Sequence, residues 1–136
     1  MWHKVSLRFF GDGLDLAAVS NALALKPDVM GLTGDHIAGN PRYAVYDTNV
    51  WVYRYVAMDD LRFSTQLSQF IARLEERSEN IRHLVERPEV TGELFLGFSS
   101  GSGQGGFTLP ASLLGRIAAL GLDVTLDLYP PTVPEA

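Results

Sequence analysis

A glycine-rich segment, residues 101–106, has the G-x-G-x-x-G spacing that is typical of dinucleotide-binding loops. In such loops the glycines let the backbone approach a pyrophosphate, and the charge of the pyrophosphate lies at the N-terminus of the next helix. Asp123 follows Gly103 at about the distance where an acidic residue commonly binds the ribose. The pattern therefore raises a nucleotide site as one candidate chemistry.

Two features of the surrounding sequence argue against that site. The next helix is predicted to begin only at Pro110, so its free N–H groups would not point at the phosphates. Only one further strand follows, which leaves no room for a doubly wound sheet. The segment is better interpreted as a flexible loop with Ser102, Gly103 and Gln104 as candidate contact residues, and the sequence predicts no cofactor.

Asp35 and His36 are adjacent in a glycine-flanked loop and have the residue types of a general acid–base pair. Adjacent residues rarely support one another in that way, so a solvated loop is the favoured interpretation. The histidines His3, His36 and His83 share no metal-ligand spacing, and the chain has no cysteine. No serine lies in a G-x-S-x-G context. The sequence therefore predicts no catalytic residue and no metal site.

An aromatic row, Trp51, Tyr53 and Tyr55, alternates along one predicted strand, as in sheets that stack RNA bases. Arg54 lies on the other side of that strand, which indicates that the aromatic row faces the core. The chain has 11 Lys and Arg against 16 Asp and Glu, a net charge of -5, and no basic stripe. The sequence therefore predicts no nucleic-acid partner.

The length of 136 residues is typical of one domain, so residues 1–136 are interpreted as a single domain. Hydrophobic residues make up 46% of the chain and charged residues 20%, which is ordinary globular composition. The absence of cysteine excludes disulfide scaffolds and thiol nucleophiles. The sequence contains neither a signal peptide pattern nor an apolar run of membrane-spanning length, so we expect a cytoplasmic protein with no membrane partner.

Hydrophobic periodicity predicts elements in the order β-α-β-β-α-β-α-β. The strands are predicted at Lys4–Phe10, Tyr43–Tyr46, Val50–Val56, Leu94–Ser99 and Asp123–Leu128. The helices are predicted from Asp15 to about Leu25, from Asp59 or Asp60 to Pro88, and from Pro110 to Gly121. The second and third strands are predicted to form a hairpin. The second helical region is either one long helix with a weak point near Ser78 or two helices.

The first six of these elements match the ferredoxin-like βαββαβ arrangement, and the last helix and strand extend it. The sequence therefore predicts an α+β domain with a mainly antiparallel sheet and helices packed on it. The outer face of that sheet mixes charges of both signs and has few large apolar groups, which makes it a poor contact surface. It is predicted to carry Lys4, Ser6, Arg8, Arg54, Thr125, Asp127 and Tyr129.

The segment Asp28–Pro41 shows no usable period and is predicted to be a loop. Its candidate partner-binding residues are Met30, Leu32, Asp35, His36 and Ile37. A loop that exposes Leu, Ile and Met together usually has something to cover them. Alternatively, these side chains lie under the loop as a satellite core. The sequence leaves both interpretations open.

Several short patterns occur in an order that resembles one bacterial family. They are Leu25-Lys26-Pro27-Asp28, Gly34-Asp35, Trp51, a long helix, Phe107-Thr108-Leu109-Pro110 through Leu113, Leu120-Gly121 and Asp127-Leu128-Tyr129. They cover roughly Lys4 to Tyr129 and resemble the family of the domain of unknown function 4279. The resemblance implies no activity, cofactor or catalytic residue. In size and acidity the chain also resembles small bacterial proteins that act as immunity factors or as neighbours of toxins.

Two functions of different classes are consistent with these patterns. The first is a non-enzymatic module that binds a protein partner such as a toxin or an assembly component. The second is a regulatory or catalytic small-molecule site between the loops at residues 28–41 and 100–106. The lack of a nucleophile–base or metal constellation favours the first. The partner, the ligand and the oligomeric state are not specified, and a homo-oligomer is left open.

Overall fold

The computed structural model of the chain describes residues 2–56, 62–99 and 106–129, which form five strands and four α-helices. The strands are β1 (Trp2–Gly11), β2 (Val29–Gly31), β3 (Asn49–Tyr55), β4 (Thr91–Ser99) and β5 (Asp123–Leu128). The helices are α1 (Leu16–Leu23), α2 (Phe63–Glu75), α3 (Ser78–Val85) and α4 (Ala111–Ala119), and a single 3-10 turn lies at Ile37–Gly39.

The strands form one open sheet in the order β2-β3-β1-β4-β5. β1 is central and pairs antiparallel with both β3 and β4, and β2 pairs antiparallel with β3. This arrangement of the first four strands is the split βαβ topology of ferredoxin-like folds. After α4, β5 joins the sheet parallel to β4. The predicted α+β fold with a mainly antiparallel sheet and packed helices is confirmed.

The predicted hairpin between Tyr43–Tyr46 and Val50–Val56 is wrong. The strand beside β3 is Val29–Gly31, within the segment predicted to be a loop, and its Met30 lies opposite Trp51. Three residues are too few to show alternation, so hydrophobic periodicity could not reveal this strand.

The segment predicted as the second strand instead turns back on the residues before it. The Tyr46 N–H donates to the Asp35 carbonyl (2.9 Å), and the Ile37 N–H donates to the Ala44 carbonyl (3.0 Å). An isolated antiparallel bridge joins His36 and Val45 between these two bonds. Residues 32–48 therefore form a hairpin-like excursion of their own at the β2 edge of the sheet.

The helix predictions agree with the structure except at one N-terminus. The Asp15 side chain caps α1 by accepting from the Ala18 N–H at 3.1 Å. The region after β3 contains two helices, α2 and α3, because the backbone leaves helical geometry at Arg77 (φ -118°, ψ 23°). α2 begins only at Phe63, with Arg62 at its N-cap position. The predicted caps Asp59 and Asp60 lie outside the described residues.

The hydrophobic core lies between the four helices and one face of the sheet. The sheet residues in it include Val5, Leu7, Phe9, Trp51, Leu94 and Leu96. Tyr53 and Tyr55 pack against this core, and their rings stack on Phe70 with centroid separations of 5.9 and 4.7 Å. The aromatic row therefore faces the core, as the exposed Arg54 on the opposite face indicated. Within the described ranges, none of the four helices has the length and apolar character that crossing a bilayer requires.

The outer face of the sheet has a partly buried ion pair at its centre. Arg8 Nε is itself buried and lies 3.2 Å from Glu93 Oε1, although the alignment does not let it donate a hydrogen bond there. The Arg8 guanidinium also lies 4.5 Å from the centroid of the Phe95 ring. Thr125 Oγ1 donates to Glu93 Oε2 at 2.6 Å. The register confirms that the predicted residues within the strands share this face, and it adds others, among them Val52, Glu93 and Phe95.

The close approach of β1 to the turn before β4 is testable at Gly11. A Cβ atom at this position would overlap the Glu89 carbonyl oxygen and approach the backbone of Val90. We expect Gly11→Ala to lower the free energy of unfolding by about 1–3 kcal/mol, because the packed backbone of Glu89 and Val90 cannot move aside without strain. The matched control is Gly115→Ala on α4, where a Cβ meets nothing within 4 Å. It should raise stability by up to about 1 kcal/mol. Urea unfolding measures both, and equal effects would contradict the contact.

Candidate partner-binding groove

An open groove with a volume of about 670 Å³ lies between the first half of α1 and the β2 edge of the sheet; we call it the α1–β2 groove. Its lining comes from the turn before α1, from α1 itself, and from β2 with the residues that follow it. The lining residues are Leu14, Asp15, Leu16, Ala17, Ser20, Asn21, Met30, Gly31, Leu32 and Asp35. The groove therefore brings three of the predicted partner-binding residues, Met30, Leu32 and Asp35, into one surface with the exposed side of a helix.

The apolar residues of the predicted loop are exposed. Met30 is 54% exposed, Leu32 52% and Ile37 40%. A satellite core would bury them, so that interpretation is wrong for these three side chains. Their role in binding a partner stays a prediction.

His36 and Ile37 lie on the 32–48 excursion and do not line the groove. His36 Nδ1 is 2.8 Å from the Tyr43 carbonyl oxygen, so this nitrogen carries the proton and donates it. Asp35 Oδ2 accepts from the Leu32 N–H at 3.1 Å. Each side chain thus stabilises the fold of the excursion, and the hydrogen bonds in the described part of the chain do not couple them as an acid–base pair.

Asn49 joins the two walls of the groove. Its Oδ1 accepts from the Thr33 N–H at 2.9 Å and from Thr33 Oγ1 at 3.1 Å. Its Nδ2 donates to the Leu14 carbonyl at 3.0 Å, at the start of the opposite wall. Asn49 was not among the predicted site residues, because it lies between the predicted strands Tyr43–Tyr46 and Val50–Val56. The signal available was an asparagine at the beginning of a strand, where this residue type is depleted.

The position of α1 above the sheet is set by Trp51. The buried indole N–H donates to Ser20 Oγ at 3.0 Å, and Ser20 in turn lies on the groove wall. On the opposite wall, Gly31 is held close to the ring of Tyr46, where a Cβ atom would overlap the ring carbons. Both walls are therefore fixed by buried contacts, and the groove does not depend on a ligand to form.

The charged groups of the groove are all acidic. Asp15 Oδ1 accepts from the Ala18 N–H, and Asp35 Oδ2 accepts from the Leu32 N–H. The second oxygen of each carboxylate has no hydrogen-bond donor among the residues that the structure describes. No described Lys or Arg lines the groove. The surface thus combines exposed apolar side chains with uncompensated negative charge.

The strand that leads to the second predicted loop ends far from the groove. Ser102, Gly103 and Gln104 are outside the described residues. The strand that leads to them ends at Ser99, which pairs with Trp2 at the start of β1. Gly31 at the groove pairs with Val50, which pairs with Phe10 near the other end of β1. At about 3.4 Å per residue, these two anchor points lie roughly 25 Å apart along the sheet.

Three aromatic rings surround His3 at the end of β1 away from the groove, and together with it they form the His3 cluster. The His3 ring stacks on Phe63 with a centroid separation of 4.3 Å, and Phe98 and Phe107 lie 5.2 and 6.0 Å away. Burial among these rings lowers the pKa of His3 below its usual value of 6.5. In the described ranges, no three His, Asp or Glu side chains converge as metal ligands would.

Comparison with protein-family models gives one match, over residues 1–131, to a family described as a domain of unknown function (DUF4279). The match spans nearly the whole chain and includes both walls of the α1–β2 groove. It confirms the family resemblance predicted from the short sequence patterns. Comparisons with curated proteins and with solved structures give no match.

The link across the groove is testable at Asn49. We expect Asn49→Ala to lower the free energy of unfolding by about 1–3 kcal/mol, because the Leu14 carbonyl and the Thr33 N–H lose their partner. Hydrogen exchange of the Thr33 amide should become faster as well. Asn21→Ala is the matched control, since Asn21 is exposed on the same groove, and it should change stability by no more than about 0.5 kcal/mol. Equal destabilisation by both variants would contradict the role of Asn49.

The His3 cluster leads to a pH dependence with a defined sign. The unfolded chain takes up a proton at His3 near pH 6.5, and the folded chain does so only at lower pH. The stability that the cluster contributes is therefore present above pH 6.5 and is lost as the pH falls below it. We expect His3→Phe to keep the stacking and to flatten the decline of the free energy of unfolding in that range. His83→Gln, whose side chain is 84% exposed, should retain the wild-type slope, and a flat wild-type profile would contradict the assignment.

Proposed function

The chain belongs to the family defined by the domain of unknown function DUF4279, and we propose that it is a non-enzymatic module that binds a protein partner in the α1–β2 groove. The segment of the partner that enters the groove has apolar side chains next to Lys or Arg. An immunity protein that neutralises a toxin is one biological form of such a module. The net charge of -5 supports a partner with a basic surface.

The observation that carries this proposal is the juxtaposition of exposed apolar and acidic groups. Met30 and Leu32 are each more than half exposed, and the groove places them with the carboxylates of Asp15 and Asp35. Apolar contacts supply most of the free energy of protein association, and complementary charge selects the partner and orients it. An apolar segment with a basic residue satisfies both requirements, whereas an acidic segment would bring like charges together.

The rigidity of the groove supports binding as well. Asn49 fixes the distance between the walls, and Trp51 fixes α1 over the sheet. A preformed site does not lose free energy to the ordering of its own loops when the partner arrives. The walls are therefore suited to a partner segment that is itself short and extended or helical.

The alternative function, a small-molecule site between the loops at residues 28–41 and 100–106, is less well supported. The strand ends from which these loops depart lie roughly 25 Å apart along the sheet. The titratable groups that line the α1–β2 groove are two aspartates, and catalysis by acid and base would require a second type of group beside them. The groove is also open along one side, whereas small-molecule sites usually enclose most of the ligand.

The binding proposal can be tested with three matched sets of short synthetic peptides. Apolar residues alternate with arginine in the first set, with glutamate in the second and with serine in the third. We expect the arginine set to bind and to shift the NMR amide signals of Leu14, Asp15 and Leu32. Absence of binding by the arginine set, or shifts confined to other parts of the chain, would overturn the proposal.

The charge contribution is testable with Asp15→Asn combined with Asp35→Asn. Asparagine keeps the acceptor oxygen that each backbone N–H requires, so the fold should remain intact. We expect the Kd for the arginine peptides to rise about 3- to 10-fold at low salt and less at high salt. The control, Asp12→Asn with Asp47→Asn, removes the same charge at exposed positions that do not line the groove. If the two double variants weaken binding equally, only the net charge matters and the groove is not the site.

A further inference from the structure

β5 is an edge strand, and its backbone groups alternate between β4 and the open side. The Tyr129 N–H donates to the Phe98 carbonyl of β4 at 2.9 Å. Successive residues of a strand direct their N–H and C=O groups to opposite sides, so Val124, Leu126 and Leu128 direct theirs away from β4. In the described part of the chain, no strand pairs with this side.

The same edge exposes apolar side chains. Leu126 is 51% exposed and Leu128 68%, and both lie on the face of the sheet that carries the helices. Natural edge strands are usually protected by charged side chains, especially lysine, by proline, by a bulge or by extreme shortness. The two charges of β5, Asp123 and Asp127, lie on the face of the sheet opposite to the leucines. The six residues of β5 contain no lysine, proline or glycine. The opposite edge of the sheet differs, because β2 has only three residues and the 32–48 excursion follows it directly.

We propose that β5 pairs antiparallel with β5 of a second copy of the chain, around a two-fold axis at Leu126, to form a continuous ten-stranded sheet. The two Leu126 residues lie opposite each other, and Val124 of each copy lies opposite Leu128 of the other. The helix layers of both copies then lie on the same side of the joined sheet. The pairing satisfies the outward backbone groups and covers the exposed leucines in one step.

The charges on the other face of β5 select this register. With Leu126 opposite Leu126, Thr125 of each copy lies opposite Asp127 of the other. Only Val124, Leu126 and Leu128 direct their backbone groups outward. Every possible register therefore pairs residues of this set with one another, and neighbouring registers differ by two residues. One neighbouring register places Asp123 opposite Asp127, and the other places Asp127 opposite its own copy. Like charges directly opposite each other destabilise a sheet, so the register at Leu126 is favoured.

Because β5 is complementary to itself in this register, a second copy of the chain fits the β5 edge. A two-fold arrangement uses the same strand in both molecules and is closed after two copies. A strand from another protein would need its own matching alternation of apolar and polar residues. The β5 edge lies at the opposite side of the sheet from the α1–β2 groove. A result against the β5 pairing would therefore not count against the proposed function, and the reverse also holds.

The pairing is tested by sedimentation velocity of the full chain over a range of concentrations. We expect the wild type to sediment with twice the chain mass, and Leu126→Lys to sediment with the single chain mass at the same concentrations. Circular dichroism should show the variant folded, because the side chain of Leu126 is half exposed. The matched control is Val56→Lys, which adds the same charge at an 88% exposed position after β3 and should remain a dimer. A monomeric wild type, a dimeric Leu126→Lys variant or a monomeric control would each overturn the proposal.

The register is tested by single-cysteine variants, since the chain contains no cysteine. Opposed residues in a hydrogen-bonded antiparallel pair have Cα atoms about 5.5 Å apart, within the range of a disulfide. We expect Leu126→Cys to form a covalent dimer with oxidised glutathione. Thr125→Cys should not, because in this register each Thr125 lies diagonal to its copy, at about 7–8 Å. Efficient cross-linking of Thr125→Cys with none for Leu126→Cys would contradict the register.

Discussion

The hydrogen bond from the Trp51 indole to Ser20 is the interaction on which the groove depends. The indole is fully buried, and a buried N–H without an acceptor would cost free energy that packing alone does not recover. Because the acceptor is on α1, the bond fixes the rotation of that helix. Val19 and Leu23 then face the core, and Leu16, Ala17 and Asn21 remain on the side towards β2.

The alternation of side chains along β3 links Trp51 to the other wall of the groove through Asn49. Asn49 lies two residues before Trp51 on β3, so both side chains emerge on the same face of the sheet. The indole therefore reaches the middle of α1, and the amide reaches the Leu14 carbonyl just before α1. One strand face thus determines where the helix begins, how it is rotated and how far it lies from Thr33. Both contacts are made within the chain itself.

Elements long enough to show a repeating hydrophobic pattern could be predicted from the sequence. β1, β3, β4 and β5 each show alternation in the sequence. Asp15 and Gly121 mark helix ends as capping rules predict, whereas Pro110, predicted as the first helical residue, lies at the N-cap position of α4. β2 was missed because three residues contain no period. The short alternation at Tyr43–Tyr46 was misleading because a backbone ladder with Asp35–Ile37 satisfies its hydrogen bonds locally. Composition pointed to Met30, Leu32 and Asp35, but the α1 wall could not be predicted, since Leu16, Ala17 and Asn21 are residues that any amphipathic helix can carry.

The place of the α1–β2 groove at the edge farthest from β5 has a consequence for how tightly a partner can be held. In the proposed dimer, the two β2 strands would be the outermost strands of a ten-stranded sheet. With adjacent strands about 4.8 Å apart, the two grooves are separated by roughly 40 Å. A partner that presents two copies of its segment at that spacing, or one long enough to span it, would gain from effective concentration, because its second contact becomes intramolecular once the first has formed. Weak binding at each groove would then be sufficient for slow dissociation of the whole complex.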